Sequence, residues 1–155
     1  MREMKEMIDN KRFVADGFKT FDLKLNKLPE RIAFQKTFYL MQELGAGTNF
    51  NFIWHNFGPY SQELAQIGFS LTEEDKSNAT LLNNELSQNF TQLKFGRAGD
   101  SRFLEMMADI VYLLKNKGIK EEDLLFKALV EHQSYLNDEE LFNLSLQRLR
   151  DAQLI

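Results

Sequence analysis

His55 and His132 are the only histidines of this chain, and a serine nucleophile needs such a base beside it. Neither lies in a Gly-x-Ser-x-Gly elbow. His55 reads as a surface or half-buried strand residue. His132 reads as a solvated side chain at a helix C-terminus, where the dipole favours a cation. The chain has no Cys, which removes thiol nucleophiles, disulfides and cysteine metal sites. It also lacks His-Glu-x-x-His and any Asp-x-Asp calcium loop. Glu73, Glu74 and Asp75 suit the start of a helix better than a cation. Gly45-Ala46-Gly47 lacks the phosphate-cradling Gly-x-x-x-x-Gly-Lys pattern, and the glycines at 96 and 99 lack a following Lys-Ser, so both read as turns. No catalytic residue, metal or cofactor is expected, and the chain reads as non-enzymatic.

Aromatic side chains offer a different chemistry. There are 14 Phe, and Phe50, Phe52, Trp54, Phe57 and Tyr60 crowd one short segment. Phe50, Phe52 and Trp54 alternate with Asn51, Ile53 and His55, which predicts a half-buried strand over 50–57 with the aromatics on its core face. Gly58 and Pro59 are expected to end that strand. Tyr60 follows them, at the start of a helix over 61–71. It either packs inward or presents an aromatic anchor to a partner, and such anchors dominate interface energy.

The remaining elements position this segment. A first helix is expected over 3–15 and closed by Gly17, with 18–28 ambiguous because Phe21, Leu23 and Leu25 alternate. Pro29 suits the first turn of a helix over 29–44. Phe34, Phe38 and Met41 form one apolar row of that helix and Ala33, Leu40 and Leu44 the next. Only a narrow polar strip of Arg31, Gln35 and Gln42 remains, so this helix is expected at the centre of the fold. Thr72 begins a capped short helix, and 88–95 reads as a second strand. Asp100 or Ser101 caps a helix whose stripe is Phe103, Met107, Ile110, Val111 and Leu114, terminated by Gly118. Glu121, Glu122 and Asp123 open another helix. Asn137 with Glu140 has capping-box spacing before a last helix over 138–152. The expectation is one domain over 1–155, mainly α, with a small antiparallel β-sheet.

Charge narrows the partners. Residues 1–60 carry nine Lys and Arg against seven acids, and residues 61–155 carry ten against sixteen, which gives the net −4 of the whole chain. Phosphate contacts come mainly from Lys and Arg, and the helix expected after Tyr60 has none, so nucleic acid is disfavoured. A basic surface from Lys11, Arg12, Lys19, Lys24 and Lys27 is the one place that reading has left. No apolar run approaches the roughly 20 residues of a membrane span, and residues 1–10 have no signal-peptide core. A cytoplasmic location is expected.

The run Arg31-Ile32-Ala33-Phe34-Gln35-Lys36-Thr37-Phe38-Tyr39-Leu40-Met41-Gln42 resembles the R-x-x-x-Q-K-x-x-Y-L-x-Q helix of the YwgA-like family of uncharacterised prokaryotic proteins. The stretch Trp54-His55-Asn56-Phe57-Gly58-Pro59-Tyr60-Ser61-Gln62-Glu63-Leu64 resembles that family's W-x-x-x-G-P-Y-S-x-E-L. More remotely, the helix-then-Gly-Pro arrangement over 29–71 is similar to the Panacea domain of SocA-type antitoxins. Panacea proteins tend to carry an aliphatic residue after Gly-Pro, where this chain has Tyr60-Ser61. The resemblance implies a winged-helix-related fold and a protein-interaction role, antitoxin-like or within a defence or regulatory operon. A winged-helix DNA-binding transcriptional regulator is the alternative. Gln35, Lys36, Trp54, Gly58, Pro59, Tyr60 and Ser61 are the expected interaction surface. For Gln35 a structural role, hydrogen-bonding nearby backbone, competes with ligand binding.

Overall fold

Helical spacing of apolar side chains builds most of this protein, whose computed structural model describes residues 2–155. Among the described residues the order is α1 (Arg2–Phe21), α2 (Leu28–Glu43), β1 (Ile53–His55), β2 (Gly58–Tyr60), α3 (Gln62–Ser70), α4 (Glu73–Ser77), α5 (Asn84–Lys94), α6 (Ser101–Lys117), α7 (Glu122–His132), a 3-10 turn (Ser134–Leu136) and α8 (Glu139–Asp151). The fold is mainly α with one small antiparallel sheet, in a single compact domain. Among the described residues no helix is long and apolar enough to cross a membrane.

Two helices share the centre. Residues 34–41 of α2 and residues 103–111 of α6 are buried without interruption, and the two helices pack against each other. α7 and α8 cover the far side of α6. α1 lies over α2, with Phe13 edge-on to Phe38 at 5.7 Å and Phe18 against Phe34 at 5.5 Å. Caps fix the boundaries by satisfying otherwise orphaned backbone donors. Ser61 Oγ accepts from the Leu64 N–H, Thr72 and Asp75 form a reciprocal box, and Asp100 Oδ1 accepts from the Arg102 and Phe103 N–H groups.

Several local expectations need correction. Gly17 does not close α1, which runs four residues further to Phe21, so 18–21 is helix rather than strand. Gly17 leaves room for the ring of Phe38 from α2: a Cβ at this position would lie 2.5 Å from Phe38 Cζ. Residues 88–95 are not a strand: 88–94 belong to α5 and Phe95 follows it, because Phe90 and Leu93 are spaced to share one buried helical face. Strand β1 is only three residues long, and Gly58 and Pro59 do not end the sheet but begin its second strand, with His55 opposite Gly58 and Tyr60 opposite Ile53. The α8 cap is Asp138, whose Oδ1 accepts from the Leu141 N–H at 3.0 Å, one residue later than the Asn137–Glu140 spacing suggested.

Gly17→Ala separates helix propensity from packing. Propensity alone gains about 1 kcal/mol, and overpacking a filled site costs about 1–3 kcal/mol. We expect a net loss of up to about 2 kcal/mol in urea unfolding, recovered when Phe38 is shortened to Leu in the same chain. A gain from Gly17→Ala alone would mean that α1 and α2 stand further apart.

Candidate functional site

The chain between α2 and α3 has little sheet of its own, so its backbone groups need other partners wherever they are buried. Side chains of α2 supply them. Gln42 Nε2 donates to the Phe50 carbonyl at 3.0 Å, and its Oε1 accepts from the Phe50 N–H at 2.9 Å. Two turns earlier Gln35 does the same for Ser61, with Nε2 donating to the carbonyl at 3.0 Å and Oε1 accepting the N–H at 2.9 Å. Each amide thus imitates one residue of a neighbouring strand. Between them, Lys36 Nζ donates to the Pro59 carbonyl at 2.7 Å. Arg31 Nη1 donates to the carbonyls of Leu25 and Asn26 before the helix.

The seven expected surface residues do come together, but most of them face inward. Gln35, Lys36 and Ser61 are 4, 1 and 1% exposed, and Gly58 and Pro59 are buried. A surface made of these five is therefore corrected to an internal latch, since each spends its polar groups or its shape on the backbone. Trp54 is half-buried, stacked on Tyr112 at 5.4 Å and against His132 at 4.5 Å. Tyr60 is half-buried and stacks on the exposed His55 at 5.0 Å. His132 is not a solvated cation. Burial, with the Lys36 charge nearby, moves its pKa below the ordinary histidine range, and its buried Nε2 has no hydrogen-bond partner among the described residues.

Gly58 is the tightest point. Its φ of +92° lies where L side chains are strained, and a Cβ there would stand 1.8 Å from Asp109 Oδ1. Asp109, on α6, is fully buried, and neither carboxylate oxygen has a hydrogen-bond partner among the described residues. Burial raises its pKa far above the usual carboxylate range, and the Lys36 charge opposes that rise. Glu105, one turn before it, is 2% exposed and takes a 2.6 Å hydrogen bond from the Tyr135 hydroxyl. Its pKa is likewise raised by burial. Desolvation pulls Lys36 down to about 8, against the fields of Asp109 and Glu105. Asp109 and Glu105 were not among the expected site residues, although the sequence carries their signal: two acids spaced i, i+4 among Phe103, Met106, Met107 and Ile110 must enter the core with them.

What faces solvent is a groove above the latch, about 260 Å³ in volume, between the start of α2, the hairpin turn and α3. Leu28, Ile32, Phe57, Tyr60, Ala65 and Phe69 give it apolar walls, and Arg31, Lys36 and His55 also line it. Phe69 and Leu28 remain 63 and 47% exposed. Among the described residues no group of three or more His, Asp and Glu side chains is placed to hold a metal ion. No family model matches the chain, and neither does any curated protein or solved structure with which it was compared.

Two measurements test the latch. Gln35→Ala leaves the Ser61 N–H buried and unpaired, while the Ser61 carbonyl keeps its bond from the Ala65 N–H, so we expect a loss of about 1–3 kcal/mol. A negligible loss would show that water replaces the amide. Lys36 gives a pH dependence whose sign is fixed. Between pH 8 and its ordinary 10.5 the folded chain has released a proton that the unfolded chain keeps, so this group makes stability rise with pH across that window. Wild type should gain on Lys36→Met by up to about 3 kcal/mol over this range, from about 1.4 kcal/mol per unit. A constant difference would place the ammonium in water.

Proposed function

We propose that the chain is a non-enzymatic protein-interaction module whose docking face is the groove between α2, the β-hairpin and α3. One observation carries this reading: large apolar side chains, Phe69 and Leu28, stand exposed on the rim of an apolar groove whose floor is rigidly latched. Exposed apolar groups gathered around a concavity are what a partner's anchor residues bury. The resemblance to YwgA-like proteins, and more remotely to the Panacea domain, supports an antitoxin-like role or one in a defence or regulatory operon. Protein is favoured over nucleic acid because α3 carries Glu63 and no Lys or Arg, leaving a phosphate backbone no cationic helix to meet.

The reading is tested by placing a photo-crosslinking amino acid at position 69 in the native host, with position 124 as control. Leu124 is also a large apolar side chain and is 52% exposed. A discrete crosslinked polypeptide from position 69, absent from 124, is the expected result. Phe69→Ser in a second chain should compete poorly for that polypeptide while changing stability by less than about 0.5 kcal/mol, as exposed substitutions do. Identical products from both positions, or none from 69, would contradict a docking role for the groove.

A further inference from the structure

We infer that the groove takes a short peptide segment carrying an apolar anchor side chain with a carboxylate close to it; this rests on the docking role proposed above. Charge is the first argument. Arg31 and His55 carry basic groups in the groove's lining, Lys36 lies in its floor with Asp109 and Glu105 behind it, and none of the lining residues is acidic, although the chain as a whole is acidic. Basic groups in apolar walls act through a low dielectric, where an unpaired negative charge is attracted strongly and a positive one is repelled. Arg31 is the group placed to make contact. Both of its hydrogen bonds to the backbone leave from Nη1, and its Nη2 and Nε have no partner among the described residues. A guanidinium held at one nitrogen and open at the others is prepared for a carboxylate.

Size and shape choose a peptide over a small metabolite. The cavity of about 260 Å³ falls below the roughly 300–1,000 Å³ of pockets that enclose drug-sized molecules. A small molecule filling it would leave Phe69 and Leu28 on the rim still wet. One or two large side chains of a segment lying across α3 and the start of α2 would fill the cavity and cover the rim together. The latch beneath, held by Gln35 and Lys36, keeps the floor from having to reorganise on binding.

The experiment selects from a phage-displayed library of random 16-residue peptides on the immobilised full chain. Enrichment of Phe, Trp or Leu with Asp or Glu within four positions is expected. Amide NMR shifts from the enriched peptide should centre on Ile32, Phe57, Tyr60 and Phe69. Replacing the peptide's acid by its amide should weaken binding roughly tenfold on wild type and less than twofold on Arg31→Gln, as for a charge-assisted hydrogen bond lost once. Arg31→Lys keeps the charge and should bind within a few-fold of wild type, which separates charge from any effect of Arg31 on folding. Peptides that fill the groove without an acid, or an acid whose loss costs the same in both chains, would overturn the inference and leave the docking role standing. A footprint away from the groove would overturn both. Failure to enrich any peptide would overturn the inference alone if position 69 still crosslinks a protein.

Discussion

An irregular chain segment can enter a helical core only if something accepts and donates its backbone hydrogen bonds, and here α2 does so with side chains. Gln42, Lys36 and Gln35 meet Phe50, Pro59 and Ser61 in turn, so one helix holds the hairpin and its flanking chain from Phe50 to Ser61 as a neighbouring strand would. A three-residue strand pair has too few ladder bonds to hold itself in place. The polar ladder of α2 supplies what the sheet lacks. The position of Tyr60, the capping of α3 by Ser61 and the shape of the groove all depend on it.

The ladder brings charge into the core and so sets conditions on its surroundings. Lys36 is buried against a carbonyl rather than a carboxylate, with Asp109 and Glu105 acting on it from α6. Each of the three charged forms is opposed by desolvation, and the opposite charges compensate only in part. Such a group costs stability relative to an apolar core, and its hydrogen bond ties the second strand to α2 at Pro59. Gly58 follows from the same crowding. With the Lys36–Pro59 bond drawing the second strand down, the residue beside Asp109 has no space for a Cβ.

Much of this was legible in the sequence, and the misses have physical causes. The wide apolar arc of α2 identified a central helix, and the alternation of Phe50, Phe52 and Trp54 identified their shared inward face. The caps of α4 and α6 were readable from Thr72 and Asp100. Residues 88–95 misled because Thr91, Leu93 and Phe95 alternate over a stretch too short to separate a period of two from 3.6; burial of Phe90 and Leu93 decides it, and Phe95 lies outside the helix. Gly17 misled because a glycine that makes room for a neighbouring side chain, here Phe38, looks the same in sequence as one that stops a helix. Gln35, Lys36 and Ser61 were expected on an interaction surface, with backbone hydrogen bonding as the competing role for Gln35, and that is the role the Gln35 amide has. Their burial becomes visible only when the backbone they satisfy is known. The groove depends on the latch and was not legible at all, because Leu28, Phe57 and Phe69 meet only after the hairpin folds over α2.

Hydrogen exchange at the Ser61 amide tests the ladder most directly. This N–H belongs to no helix or strand hydrogen bond and is held by the Gln35 side chain alone. If α2 is the strand that the hairpin lacks, the Ser61 amide exchanges as slowly as the amides of the buried middle of α2, through the same opening of the fold. Exchange at the rate of an exposed loop would contradict the account, because it would leave the hairpin resting on α2 without being held by it.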